Sequence, residues 1–251
     1  MKFKDHFSGH AANYAKFRPN YPRELFEYLG SIAPGRGLAW DCATGNGQAA
    51  VGLSGFFECI IATDASERQI LGASRNERIE FRVAVAEKSG LESKSIDLVT
   101  VAQALHWFDL DAFYAETIRV LKPRGILAAW CYNLLEIAPE IDAIITRFYD
   151  EIVGPYWPPE RKMVEGRYRT IRFPFDELEP PAFVMQAHWS LEQLLGYLRT
   201  WSATQAFITA HGSDPTEAIT ADLSGAWGKA TGGRIVRWPL SIRVGCVVPA
   251  V

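Results

Sequence analysis

Short apolar runs alternate with patterns of helical periodicity between residues 23 and 152. The apolar runs predict five strands, at residues 38–41, 59–64, 79–85, 95–101 and 125–132. Helical spacing predicts helices at residues 23–33, 109–121 and 139–152, and short helices that begin near residues 49 and 67. This alternation is typical of a mostly parallel sheet that is covered by helices on both faces.

The pattern changes after residue 153. Residues 154–181 have no clear period and combine prolines and aromatic residues with five basic ones, Arg161, Lys162, Arg167, Arg169 and Arg172. Beyond them, Phe183–Trp189 alternates as a strand does, Leu191–Ala206 has the spacing of one helix, and residues 235–244 form a final strand. Because the chain contains no internal repeat or low-complexity linker, we expect a single domain over residues 1–251.

The loop from Asp41 to Gly47 carries the strongest chemical signal in the chain. It follows the first strand and has small residues at Ala43, Gly45 and Gly47, which let backbone and ligand approach closely. A helix that begins there directs unpaired N–H groups toward the same space. The loop therefore predicts a site for a nucleotide-type ligand.

Two classes of nucleotide cofactor are compatible with this loop. Gly45, Gly47 and Ala50 satisfy a relaxed dinucleotide fingerprint, which is a weak signal by itself. Asp41 favours another class, because a carboxylate beside the glycines repels a pyrophosphate and suits a ligand with a positive amino group. A glycine turn with a solvated aspartate is a third interpretation.

A second acid, Asp64, ends the next strand about twenty residues further on, as in dinucleotide-type folds. It is placed to accept hydrogen bonds from two ribose hydroxyls. Its alternative role is the N-cap of the helix that begins near Glu67, which Ser66 can serve equally well. The recurrence of strand, loop and acid favours ribose binding.

Composition agrees with a soluble enzyme. The 251 residues are 48% hydrophobic and 22% charged, and the net charge of -3 gives no general attraction to nucleic acid or to an anionic membrane. No apolar run reaches the roughly 18 residues that span a bilayer, and the N-terminal residues lack a secretory core. We expect a cytoplasmic monomer or homodimer with neither nucleic acid nor a membrane as a partner.

The cysteines and histidines predict no metal centre. Cys42, Cys59, Cys131 and Cys246 show no C-x-x-C spacing, which fits free thiols in a reducing compartment. His6 and His10 could share a helix face, but they have no third ligand nearby.

Taken together, these motifs resemble the class I S-adenosylmethionine-dependent methyltransferases, and within them the small-molecule group that includes trans-aconitate methyltransferase-like proteins. The segments that carry the resemblance are Asp41–Gly47, Asp64, Val85–Glu87, Gln103–Phe108 and Arg119–Pro123, with Tyr14–Pro22 similar to the opening segment of that group. The resemblance is clear over residues 5–135 and looser beyond. Ala43 and Arg124 depart from it, because the family has glycine at both positions.

The resemblance implies a Rossmann-like α/β fold whose sheet has seven mostly parallel strands with an antiparallel last strand. Helices cover both of its faces. Residues 1–33 would form an N-terminal helical cap, residues 34–135 the cofactor-binding core, and residues 154–181 an insertion that acts as a substrate lid. S-adenosyl-L-methionine is the implied cofactor. A small molecule is the implied methyl acceptor, with a carboxylate as the leading candidate.

The implied cofactor-binding residues are Tyr14, Arg18, Asp41, Ala43, Gly45, Gly47, Asp64, Ala65, Ala86, Glu87 and Gln103. The loop after the first strand approaches the amino-acid and ribose parts, Asp64 the ribose, and residues 65, 86 and 87 the adenine. The Gln103 carbonyl faces the ammonium group, and Arg18 faces the methionine carboxylate. A surface position is the alternative for Arg18, and a solvated side chain is the alternative for Glu87.

The candidate acceptor-binding residues are His106, Trp107, Tyr156, Trp157 and Arg167. Aromatic walls with one or two arginines suit a carboxylate clamp, and a solvated basic loop is the alternative for residues 154–181. His106 is the candidate general base for an acceptor that must lose a proton. Its alternative is a packed core histidine, and a carboxylate acceptor needs no base.

Two other functions remain open, a NAD(P)-dependent oxidoreductase and a non-catalytic S-adenosylmethionine-binding domain. The antiparallel end of the sheet argues against the first, because nicotinamide Rossmann domains typically continue in parallel. The fourth strand is not followed by an Asn/Asp-Pro-Pro-aromatic run, which argues against methylation of exocyclic base nitrogens.

Overall fold

The computed structural model describes residues 19–73, 76–228 and 233–247. The strands in these ranges are β1 (Leu38–Cys42), β2 (Cys59–Asp64), β3 (Ile79–Val83), β4 (Ile96–Ala102), β5 (Leu121–Tyr132), β6 (Asp176–Leu178), β7 (Val184–Trp189) and β8 (Arg234–Cys246). The α-helices are α1 (Arg23–Ile32), α2 (Gln48–Leu53), α3 (Glu67–Leu71), α4 (Leu110–Val120), α5 (Pro139–Arg147), α6 (Arg161–Glu165), α7 (Leu191–Arg199), α8 (Ser202–His211) and α9 (Glu217–Trp227). Short helical turns at Leu105–Trp107, Phe148–Ile152 and Gly154–Tyr156 complete the set.

The strands form one sheet in the order β3-β2-β1-β4-β5-β8-β6, with β7 paired to β8. Strands β1 to β5 pair in parallel. Strand β8 is antiparallel to β5 along Leu240–Cys246, and its residues 234–239 pair with β7. The predicted Rossmann-like fold with an antiparallel last strand is therefore confirmed. The three-residue β6 is an eighth strand beyond the predicted seven.

Successive residues of the inner strands face opposite sides of the sheet. In β1, Ala39 packs into one hydrophobic core and Trp40 into the other, and Ala128 and Ala129 of β5 divide in the same way. Helices α1 and α2 contribute to the first core, whereas α4 contributes to the second. Both faces are therefore covered, which is why β4 is buried at every position from Ile96 to Val101.

The helix predicted for Leu191–Ala206 is wrong, because the chain forms two helices, α7 and α8, in this region. The break falls at Trp201, whose ψ of 138° is extended. The Trp201 ring packs against the rings of Phe148 and Tyr149. Burial of so large a ring outweighs one more turn of helix, so the chain leaves the helix where the ring can reach this cluster. Helix α9 was not predicted.

The segment from residue 154 to residue 181 is packed into the protein. Its buried side chains are Val164, Tyr168, Ile171, Phe173 and Phe175, all in the second core. Arg243 of β8 secures the segment, since its guanidinium donates to the Tyr168 carbonyl at 3.1 Å and lies 4.5 Å from the centre of the Phe173 ring. The interpretation of the segment as a lid remains a prediction, as do the boundaries at residues 33, 34 and 135.

None of the helices in the described part of the chain combines the length and the apolar character needed to cross a bilayer. The same part contains no group of three or more His, Cys, Asp or Glu side chains that could hold a metal ion. All four cysteines are unpaired, and Cys42 and Cys131 are buried. His6, His10, Tyr14 and Arg18 lie outside the described residues.

Candidate functional site

The loop between β1 and α2 is a tight turn beside an open space. Ala43, Gly45 and Gly47 have positive φ angles of 53°, 58° and 89°. Among the described residues, a Cβ on Gly45 would meet nothing within 4 Å, whereas a Cβ on Gly47 would lie 3.0 Å from the Phe81 ring. Gly47 thus allows close packing below the loop, and Gly45 leaves room above it. Ala43 adopts the left-handed conformation at a cost of about 1 kcal/mol.

Asp41 lies beneath this loop and is completely buried. Its carboxylate accepts hydrogen bonds from Thr44 Oγ1 at 2.5 Å, Thr100 Oγ1 at 2.8 Å and the Ala50 amide at 3.1 Å. Burial raises the pKa of Asp41 to about 6 although these three bonds oppose the shift, and the charge of Asp64 acts in the same direction as burial. Asp41 therefore joins β1, β4 and the first turn of α2, and fixes the position of the loop.

Asp64 joins the loop after β1 to the loop after β2. One carboxylate oxygen accepts from the Gly45 amide at 2.9 Å, and the other accepts from the Ser66 amide at 2.8 Å. The N-cap of α3 is Ser66, whose hydroxyl accepts from the Gln69 amide. The capping role is thus filled without Asp64, which is left at the edge where both loops meet.

The end of β3 contributes to the same edge of the sheet. Ala86 is buried, and Ala65 at the end of β2 is half-buried. Glu87 is also half-buried and accepts a hydrogen bond from the Asp109 amide at 3.0 Å, just before α4 begins. This bond fixes the Glu87 carboxylate in place, so the side chain is not a freely solvated one.

Gln103 follows β4 in a left-handed conformation, with φ at 56°. Its side-chain amide donates to the Tyr132 carbonyl and accepts from the Tyr132 amide, both at 3.0 Å. Its own N–H donates to the Trp130 carbonyl at 2.8 Å. The Gln103 side chain thus continues the hydrogen bonding between β4 and β5 by one residue beyond the end of β4. A strained backbone that is held this firmly is typical of a functional position.

His106 is packed inside the protein and is 9% exposed. Its Nδ1 lies 2.9 Å from the Tyr168 hydroxyl, and its ring centre is 4.6 Å from that of Trp107. Burial, and then the positive charge of Arg161, lower the pKa of His106 to about 3. The imidazole is therefore neutral at physiological pH and a weak proton acceptor, which favours the packed core role over the general base.

The other predicted acceptor residues are not all in one place. Trp157 packs against Tyr149, with ring centres 4.9 Å apart. Tyr156 faces α8, where its hydroxyl bonds to His211 Nε2. Arg167 is exposed and has a φ of 56°. Of these three, Trp157 is connected to the end of β5 through Arg161, whose guanidinium lies 4.8 Å from the Trp157 ring centre and bonds to Asn133.

Arg161, which belongs to the same segment as Arg167, is half-buried. Its Nε donates to the Tyr149 hydroxyl at 2.7 Å and its Nη2 to Asn133 Oδ1 at 2.6 Å. Asn133 comes directly after β5, so the guanidinium is held at the carboxyl edge of the sheet. The two arginines share one basic stretch, and no sequence signal distinguishes the buried side of that stretch from the exposed side.

Comparison with known proteins agrees with this geometry. The family profile described as a methyltransferase domain matches residues 40–129, which include Asp41, Asp64 and Gln103. A Dictyostelium discoideum protein described as a methyltransferase is 37% identical over 236 residues, which cover 92% of this chain and 89% of that protein. A Saccharomyces cerevisiae protein described as an S-adenosylmethionine-dependent methyltransferase is 30% identical over 131 residues, 49% of this chain and 45% of that protein.

A solved structure is similar over almost the whole chain. The structure of a type II methyltransferase from Anaeromyxobacter dehalogenans has a TM-score of 0.88 and 46% sequence identity, and the similarity covers 93% of this chain and 100% of that one. Fold, loop geometry and relatives thus agree on an enzyme whose cofactor is S-adenosyl-L-methionine. The chain belongs to the class I S-adenosylmethionine-dependent methyltransferases.

Proposed function

We propose that the protein transfers the methyl group of S-adenosylmethionine to a small-molecule acceptor, and that the acceptor atom is a carboxylate oxygen. Methyl transfer from a sulfonium is an in-line displacement, so alignment and exclusion of water supply most of the acceleration. Side chains at the site are therefore needed mainly to position two ligands. The net charge of -3 does not favour a nucleic-acid acceptor.

The described residues fit the cofactor at the edge formed by β1, β2 and β4. No atom of the described residues lies within 4 Å of a Cβ built on Gly45, so this side of the loop has room for a ligand among them. A carboxylate has about four acceptor positions, so the two backbone bonds of Asp64 are compatible with further bonds to ribose hydroxyls. Residues 65, 86 and 87 would border the adenine, and the Gln103 carbonyl would accept from the ammonium group. When bound, the cofactor supplies the electrophilic methyl group.

The observation that favours a carboxylate is the state of His106. An amine or hydroxyl acceptor has to lose a proton, and an efficient base has a pKa near the operating pH. His106 has a pKa of about 3 and its Nδ1 is engaged by Tyr168. A carboxylate is already ionised at neutral pH, so it can attack without a base.

The test measures methyl transfer from cofactor labelled in the methyl group to a panel of carboxylic acids, their primary amides, and phenols. We expect labelled product from acids only, and release of the label as methanol in mild base because the product is an ester. Preferential methylation of amides or phenols would contradict a carboxylate acceptor. Binding of S-adenosylhomocysteine without turnover of any compound would instead favour a non-catalytic cofactor-binding domain.

A further inference from the structure

We infer that Arg161 binds an anionic group of the methyl acceptor and thereby selects which molecules are methylated. The inference rests on the proposed function, because it places the acceptor at the carboxyl ends of β4 and β5. It assigns a specific role to one arginine of a segment that contains several.

The first observation is an uncompensated charge. Arg161 is half-buried, yet it forms no ion pair with any acidic residue in the described ranges. Six other arginines of the described ranges form ion pairs, as Arg199 does with Asp214 at 2.6 Å. The Glu165 carboxylate reaches Arg161 only indirectly, through the Tyr149 hydroxyl that donates to it at 2.5 Å. A half-buried guanidinium without a direct counter-charge is available to bind an anionic group of a ligand.

The second observation is the number of donors that remain. A guanidinium has five N–H groups. One on Nε is used by Tyr149 and one on Nη2 by Asn133, which leaves both N–H groups of Nη1 and one of Nη2 without a partner in the described structure. Adjacent N–H groups on the two terminal nitrogens match the two oxygens of a carboxylate.

The third observation is that the side chain is held in place before any ligand arrives. The guanidinium lies 4.8 Å from the centre of the Trp157 ring and 5.3 Å from that of Tyr149. Together with the two hydrogen bonds, these rings fix its orientation. A donor that is already ordered loses little conformational freedom when an anion binds.

The fourth observation places Arg161 beside the predicted reacting region. Its partner Asn133 follows Tyr132, and the backbone of Tyr132 is bonded to the Gln103 side chain. Arg161 also lies close enough to His106 to act on its ionisation. The Arg161 guanidinium therefore lies at the carboxyl ends of β4 and β5. This is the end of the sheet at which the Gln103 carbonyl is predicted to hold the amino group of the cofactor.

Arg169 provides a matched control. It belongs to the same segment and has the same charge, but it is exposed, and its side chain has no hydrogen bond or ion pair within the described ranges. Removal of its charge therefore changes the field around the site only weakly, because water screens exposed charges. A difference between Arg161 and Arg169 variants reports on local binding rather than on net charge.

The experiment compares the wild type with Arg161→Gln, Arg161→Lys and Arg169→Gln. Acetate, succinate, benzoate and citrate, each paired with its primary amide, serve as acceptors, and S-adenosylhomocysteine release gives kcat and KM. We expect Arg161→Gln to lower kcat/KM for the acids by about tenfold to a hundredfold, the range of a charge-assisted hydrogen bond. The Arg161→Lys variant should retain part of the kcat/KM that Arg161→Gln loses, and Arg169→Gln should stay within about twofold of the wild type.

Calorimetric titration separates this inference from the proposed function. The dissociation constant for S-adenosylhomocysteine should be the same in all four proteins, and the acid that is turned over should bind the cofactor-loaded wild type but not Arg161→Gln. Equal losses in the Arg161→Gln and Arg169→Gln variants, wild-type kinetics in Arg161→Gln, or no acid bound by the wild type would overturn the role of Arg161. Failure of the wild type to bind S-adenosylhomocysteine would overturn the proposed function itself.

Discussion

Asp64 shows how one side chain can serve both the fold and a ligand. Its two oxygens hold the Gly45 and Ser66 amides and thereby keep the loops after β1 and β2 together. The same geometry presents the carboxylate at the edge where a ribose is predicted to lie. The structural and ligand-binding contributions can be separated by experiment, because α3 is capped by Ser66 and not by Asp64.

We predict that Asp64→Ala raises the dissociation constant for S-adenosylhomocysteine by at least about tenfold, because two charge-assisted hydrogen bonds to the ribose are lost. The free energy of unfolding should fall by only about 1–3 kcal/mol. Ser190→Ala is a suitable control, because it removes the N-cap of α7 and should cost about 1 kcal/mol without changing affinity. Wild-type affinity in folded Asp64→Ala would show that the carboxylate serves the loops alone.

His106 carries a prediction about pH. Its folded pKa of about 3 lies below the unfolded value of about 6.5. The neutral imidazole therefore contributes stability that is complete above about pH 6.5 and is lost progressively as the pH falls toward 3. The difference in unfolding free energy between wild type and His106→Gln should shrink over this range. The pH profile of kcat should have the same shape in the wild type and in His106→Gln. A fall in kcat below about pH 6.5 that is present in the wild type and absent from the variant would identify His106 as the base.

At the scale of elements, the ends of β4 and β5 form one unit through Gln103. Its side chain makes two bonds to Tyr132 while its backbone stays at a φ of 56°. These two hydrogen bonds, called here the Gln103 clamp, offset the strain of the backbone and orient the Gln103 carbonyl, which is predicted to face the cofactor. Strand ends of this kind are where α/β sheets place ligand-binding groups.

Substitution of Gln103 by alanine and by glycine separates the clamp from the strain. Both variants lose the two hydrogen bonds, which should cost about 1–3 kcal/mol of unfolding free energy. Glycine should be about 1 kcal/mol more stable than alanine, because it adopts a positive φ without a steric penalty. Denaturant unfolding of the three proteins measures both differences. An alanine variant as stable as the wild type would mean that the clamp contributes nothing.

Elements that are marked by a local pattern of apolar and polar residues were predicted well. Strand β2 is predicted as Cys59–Asp64 and found there, because an apolar run that ends in an acid marks both its length and its end. The break between α7 and α8 was not predictable, because it depends on where the Trp201 ring meets Phe148 and Tyr149. That contact joins residues that are about fifty positions apart in the chain, so the local periodicity of the sequence cannot predict it.

On the scale of the whole molecule, the strand order brings the predicted cofactor residues to one edge. From β1 the chain adds β2 and then β3 on one side of the sheet, and it then crosses to the other side of β1 to form β4 and β5. The switch in direction therefore lies between the neighbouring strands β1 and β4. Ligands of open α/β sheets bind at such a switch point, outside the carboxyl ends of the strands. The loop after β1, Asp64 and Gln103 all lie at this end, which explains why three separate sequence motifs define one site.

The surroundings of the candidate acceptor residues were less predictable than those of the predicted cofactor residues. The predicted cofactor residues follow strands whose order is set by the parallel sheet, so their meeting at one edge follows from the pattern. Arg161 and Tyr168 depend instead on how residues 154–181 fold back over β5, and His106 and Tyr168 meet across 62 positions of sequence. For the same reason, the sequence pattern does not indicate that Arg161 is half-buried and Arg167 exposed.

The most direct test of the cofactor site is a crystal structure of the protein with S-adenosylhomocysteine bound. We predict both ribose hydroxyls within about 3 Å of the Asp64 carboxylate, the loop of Ala43 to Gly47 against the ribose and amino-acid parts, and the ammonium group at the Gln103 carbonyl. Density for the ligand at another edge of the sheet, with Asp64 bonded only to backbone amides, would contradict the assignment.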